Sequence, residues 1–275
     1  MADAIAELPV AEASGEIASI FNEIAEFSGV PMPALIWRHL ATLPGVLPEA
    51  WGALRPLYVT GRVQSAAWRA ASAAIAGHAS GVSRSALDAA GVDAVTAMAY
   101  ERVLASYNRA NPVNFVGVCL LRTAMRAQIP GPAESVPASQ WQPPEPIHGV
   151  PPMMPVSAIG QTERSLIAAI AVDPAVDRRR IVPSLYRHLT SRPALVRLLH
   201  DDLVPRIRSG ELPDLWRRAA AALEGESLGL ARFVPALPAL GRFAGLSETV
   251  DRFAGLIPEM VAIGGLLRNG LDRAD

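Results

Sequence analysis

Two stretches on either side of a proline-rich centre repeat each other. RHLATLPGVLPEAWGALRP at 38–56 aligns without gaps with RHLTSRPALVRLLHDDLVP at 187–205, and WRAASAAIAG at 68–77 with WRRAAAALEG at 216–225. A weaker third pair, 101–122 with 249–268, keeps the order, and the three offsets are 149, 148 and about 147. Three matches in order at nearly one offset read as a duplication. The period is far longer than that of a solenoid repeat, so each copy is a half-domain of several elements. The expected architecture is two tandem halves, 1–128 and 159–275, related by a pseudo-two-fold and facing each other across a seam.

The segment between the halves is of a different kind. Pro130 to Pro155 carries nine prolines, each of which fixes φ and removes a backbone donor, so neither a helix nor a central strand runs through it. An extended strap over 129–158 is expected, lying along the folded body with Trp141, Ile147, Met153 and Met154 as apolar anchors.

Each half reads as helical. Ile17, Ile20, Phe21 and Ile24 fall at i, i+3, i+4 and i+7, which predicts a helix over 16–27 with Ser14 at its start. Further helices are predicted at 34–43, 47–59, 65–77, 83–89, 92–109 and 112–126, the last opened by Asn111 as N-cap and Pro112 at the first helical position. Alanine, the best helix former and a poor strand former, occurs 48 times. No stretch alternates with period two, and the fold class is all-α.

Composition then narrows the function. A net charge of −1, with 25 arginines and no lysine, supplies no electrostatic footprint for nucleic acid or an anionic membrane surface, so neither is an expected partner. Cys119 is the only cysteine, which rules out an internal disulfide, a CxxC redox pair and a cysteine-built zinc site. The first residues lack a basic n-region and an unbroken apolar core, and Val116–Leu121 is far too short to span a bilayer; a cytoplasmic protein is expected. No G-x-G-x-x-G, Walker A, H-E-x-x-H or G-x-S-x-G motif is present, and the five histidines are not spaced for a helical metal site. No metal and no cofactor are expected.

A seam between duplicated halves is a natural ligand site, and divergence can make its two walls chemically different. Residues 107–114 carry Asn108, Asn111 and Asn114, whereas the corresponding 254–259 has no asparagine. Arg38-His39 and Arg187-His188 occupy equivalent places in the two copies. Two readings fit these pairs: a carboxylate-binding arginine or general-base histidine, or a shared structural task such as capping a neighbouring helix.

These residues resemble a known family, the group I 2-haloacid dehalogenases, which act on both D- and L-substrates. The resemblance rests on Val30-Pro31 leading into a helix, the A-T-x-P-G-x-L-P run from Ala41 to Pro48, N-x-x-N-P from Asn108 to Pro112, the proline-rich middle, and a second half that starts like the first. It implies an all-α, internally duplicated fold with the active site between the halves. The implied reaction is hydrolytic: an aspartate of the second half deprotonates water, which attacks Cα directly and expels halide with inversion. The resemblance places the water-holding asparagine at Asn111 and pocket residues at Met32, Leu35 and Ser184; Asn114 of the amide cluster and Tyr186 beside Arg187 are further candidate substrate contacts. At the aspartate's position stands Leu185, and 181–186 holds no carboxylate. The nearest is Asp177, followed by three arginines, while Glu259 is an alternative base at the seam.

The implied partner is a small organic acid or haloacid, and a homodimer stays open. If the chain is an enzyme, it is a hydrolase of this type using another base; otherwise it binds without hydrolysis, or is a structural or interaction protein with the seam packed shut. A hydrated pocket of a few hundred Å³ between Asn111 and Ser184 favours a ligand, and close-packed aliphatic side chains favour the structural reading.

Overall fold

The computed structural model describes residues 5–128, 132–170 and 182–273. Among these residues the chain forms helices and no strand. The first half runs through α1 (Gly15–Ser28), α2 (Leu35–Leu40), α3 (Val46–Val59), α4 (Arg62–Ile75), α5 (Arg84–Ala89) and α6 (Ala94–Met125). The second runs through α7 (Gln161–Ala169), α8 (Ser184–Leu189), α9 (Pro193–Arg208), α10 (Glu211–Leu230), α11 (Pro238–Gly241) and α12 (Leu246–Leu271).

Local chemistry explains many of the boundaries. α1 buries Ile20, Phe21 and Ile24 on one face and ends at Gly29, whose φ of +60° suits glycine. Ser14 sits at its N-cap position, although its hydroxyl makes no capping bond. Asp93 does cap α6, its carboxylate accepting from the Thr96 amide at 2.7 Å. The element order of the first half recurs in the second. Pro56 lies inside α3 and Pro205, 149 positions on, inside α9. Gly61 and Gly210, again 149 apart, precede α4 and α10 with φ of +68° and +84°. The two most extensive helix pairings, α6 with α12 and α4 with α10, join helices holding corresponding places in the two halves.

One expected break is absent. The sequence predicts separate helices at 92–109 and 112–126, but α6 is continuous from Ala94 to Met125 with Pro112 inside it. Asn111 is therefore no N-cap. An interior proline costs about 3 kcal/mol, and the flanking turns offset this by burying Val113, Phe115, Val116, Val118, Leu120 and Leu121. Pro258 is likewise interior to α12.

The strap is fastened along its length. The Trp141 ring lies over Gly61 so closely that a Cβ there would sit 2.2 Å from ring atoms. Farther along, Arg109 donates to the Glu145 carbonyl at 2.6 Å and the Ile147 amide to the Gly29 carbonyl at 3.1 Å. At its end Met154 and Arg187 exchange two hydrogen bonds, Met154 N to Arg187 O at 3.2 Å and Arg187 Nε to Met154 O at 3.0 Å. The strap thus touches elements on both sides of the centre.

The core is mostly aliphatic, as the composition requires, but one side of it is aromatic. Trp51 stacks with Phe27 and meets Trp37 and Tyr58 edge-on. Cys119 is buried in this core, and burial pushes its thiol up to about 12, so it packs as an apolar side chain and not as a nucleophile. Among the described residues no helix is long and apolar enough to cross a membrane, and no cluster of His, Cys, Asp or Glu is arranged to hold a metal.

Candidate functional site

A cavity of about 80 Å³ lies among α2, α6, α8, α12 and the strap. The turn before α2 and α2 itself contribute Met32, Leu35 and Arg38. From α6 come Tyr107, Asn111 and Asn114, at i, i+4 and i+7, one stripe of a continuous helix. Across from them α8 presents Ser184, Leu185 and His188, and α12 presents Phe253, Ile257 and Met260. Val150 and Met153 of the strap complete the wall.

The structure thus brings together Met32, Leu35, Asn111, Asn114, Ser184 and Leu185, six of the eight residues singled out from the sequence. Glu259 is not on this wall. It is buried in α12, where Leu256, Ile257 and Met260 face the cavity and residue 259 falls on another side of the helix. Tyr186 is also buried off the wall, because in α8 residues 184, 185 and 188 share the cavity-facing side. Asn108 points elsewhere too, donating to the Gly264 carbonyl at 2.9 Å and fastening α6 to α12. Asp177 and the arginines after it lie outside the described residues.

Most of the wall is apolar, and the polar groups on it are few. Asn114 accepts from the Trp37 indole N–H at 2.7 Å, a buried bond that fixes its amide. The Ser184 and Tyr107 hydroxyls are hydrogen-bonded, and burial pushes the phenol well above the usual tyrosine range, so it stays protonated. Among the described residues, three buried nitrogens on the cavity-lining side chains have no hydrogen-bonding partner: Asn111 Nδ2, Arg38 Nε and His188 Nδ1. Unsatisfied buried polar atoms are costly and call for an explanation.

The two Arg-His pairs differ in their surroundings. Arg38 and Arg187 both meet the Glu7 carboxylate, at 2.5 and 3.5 Å. His39 is spent on a local bond, its Nδ1 lying 2.8 Å from the Ala6 carbonyl oxygen. His188 instead is buried on the cavity wall, with the Tyr107 ring edge-on to it at 5.7 Å. Burial, reinforced by the charges of Arg187 and Arg38, pulls its imidazole down to about 4 against the opposing effect of the Pro151 carbonyl. No signal in the sequence separated His188 from His39; the difference is one of burial.

Asn114→Leu tests the polar framework. It leaves the Trp37 indole N–H buried without an acceptor and is expected to lower stability by about 1–3 kcal/mol. Urea unfolding measures this, and an unchanged midpoint would contradict the role assigned to the bond.

No protein-family model and no curated sequence matches this chain. Solved structures do resemble it. A D-2-haloacid dehalogenase mutant in complex with D-2-CPA superimposes with a TM-score of 0.69 at 16% identity, covering 98% of this chain and 97% of that one. A complex of D-2-haloacid dehalogenase with L-LA gives 0.68 at 16% identity, covering 96% and 97%. A further mutant of the enzyme gives 0.68 at 17% identity, covering 98% and 97%. Over nearly the whole of both chains the fold is therefore that of the D-2-haloacid dehalogenases.

Proposed function

We propose that this chain is a 2-haloacid dehalogenase-like protein whose cavity binds a small organic acid. The observation that carries the reading is the convergence of the sequence-selected residues Met32, Leu35, Asn111, Asn114, Ser184 and Leu185 on one cavity. The cavity falls short of the few hundred Å³ expected of a ligand pocket from the sequence, and its wall is mostly apolar. A water needs roughly 10–15 Å³ on this measure, so about 80 Å³ has room for several waters or one acid of three carbons. It is well below the few hundred Å³ of pockets for larger ligands, which restricts the acid to a short chain. An apolar wall holds the alkyl part, and the unpartnered Asn111 Nδ2 and Arg38 Nε offer donors to a carboxylate. The reading includes an origin by duplication, with halves 1–128 and 159–275 joined by the strap at 129–158, and the recurring element order supports it.

Hydrolytic dehalogenation is the activity proposed for this cavity, with Asn111 holding the water. A second reading, binding without hydrolysis, is favoured by one observation: no aspartate or glutamate lines the cavity among the described residues, and Leu185 stands at the expected place. Two measurements separate the readings. Titration calorimetry with propionate, which has no leaving group, is expected to show binding, and absence of binding overturns the acid pocket. Halide release from each enantiomer of 2-chloropropionate is expected; binding of propionate without halide release selects the non-catalytic reading.

A further inference from the structure

Attack of water at a saturated carbon needs a proton acceptor beside the water. Leu185 cannot serve, and among the described residues no carboxylate lines the cavity. One turn along the same helix, however, His188 occupies the same wall, four residues from Ser184 and three from Leu185. Its Nδ1 is buried and unpartnered. The Pro151 carbonyl lies beside the ring and favours its protonated form.

We propose that His188 is the base that replaces the missing carboxylate, its imidazole taking the proton of the water that attacks the bound haloacid. The proposal rests on the acid-pocket reading and specifies how that site would turn over. The water oxygen bonds to Cα while the carbon–halogen bond breaks and its electron pair leaves with the halide. The water's proton passes to the imidazole, and the imidazolium then releases it to solvent. The products are a 2-hydroxy acid, a halide ion and a proton.

Three features support the assignment. The ring is buried on the cavity wall and held edge-on by Tyr107. Its equivalent in the other half, His39, is occupied by the Ala6 carbonyl and is not on the cavity wall, so only one copy is free to act. An imidazole near 4 also matches the basicity of an aspartate at about 3.9, the kind of group it replaces. The charged and titratable groups around it are Arg38 of α2, Arg187 of α8 and Tyr107 of α6, with Glu7 joined to both arginines.

The test compares His188→Gln with the parent chain, using both enantiomers of 2-chloropropionate for halide release and propionate for binding. The expected result is a loss of about 10²–10⁴-fold in kcat with propionate affinity kept within about threefold, an outcome that collapse of the pocket would not produce. The parent's kcat is expected to fall at low pH, because a protonated ring cannot accept. The limb should lie between the free-protein value of about 4 and the unperturbed 6.5 or so, since a bound carboxylate raises it, and should be missing from any residual His188→Gln activity. A His188→Gln protein with parental kcat, or a limb that survives in it, overturns the assignment. A parent chain that binds propionate but releases no halide also overturns it while leaving the acid pocket standing; absence of propionate binding overturns both. Should His188→Gln fail to fold, His188→Asn is measured in the same way.

Discussion

Leu185→Asp carried into a His188→Gln background is expected to restore halide release from 2-chloropropionate by about 10²–10⁴-fold, the contribution of one positioned base. In the parent background it is expected to exceed the parental rate. Residues 185 and 188 share the cavity-facing side of α8, so the variant returns a proton acceptor to the same wall from one turn away. Burial of the new carboxylate disfavours its charge, and the arginine side chain on the opposite wall, with its unpartnered Nε, opposes that effect. Halide release at pH 7 with each enantiomer measures the outcome. No gain in either background would contradict the alignment that places Leu185 at the position of a water-activating carboxylate.

Gly61→Ala is expected to destabilise the protein by about 2–4 kcal/mol, combining roughly 1–2 kcal/mol for a side chain in the left-handed region with the strain of overpacking. The φ of +68° supplies the first effect, and the Trp141 ring, 2.2 Å from where the Cβ would sit, supplies the second. For a chain of this size the melting temperature should fall by about 5–15 °C. The consequence reaches the cavity, because the strap that Trp141 anchors also supplies Val150 and Met153 to its wall. Propionate affinity is expected to weaken together with stability. A variant with parental melting temperature would show that Trp141 does not hold the strap against α4.

The helical class and most helix positions could be read from periodicity, because an apolar stripe and a glycine stop are local properties. The break expected at Asn111-Pro112 could not. Asn-Pro has the same local chemistry whether it opens a helix or is overridden within one, and here packing of α6 against α12 decides for continuity. That continuity turns Asn111 from a cap into a cavity residue in register with Tyr107 and Asn114. Met32, Leu35 and Ser184 meet at one cavity because they belong to short segments whose placement follows the motif. Tyr186 and Glu259 lie off its wall, since one or two steps around a helix turn a side chain away. His188 and Arg38 were visible only as members of a repeated pair. What distinguishes them from His39 and Arg187 is their place on the cavity wall, and for His39 the bond to the Ala6 carbonyl.

The proposed function requires that the cavity among α2, α6, α8 and α12 takes a short-chain acid. A crystal structure of the His188→Gln protein soaked with 2-chloropropionate tests this most directly. The expected result is the acid in the cavity between Asn111 and Ser184, its alkyl part against Leu35 and Leu185. A cavity left empty at saturating acid, or the acid bound only on an outer surface, would contradict it.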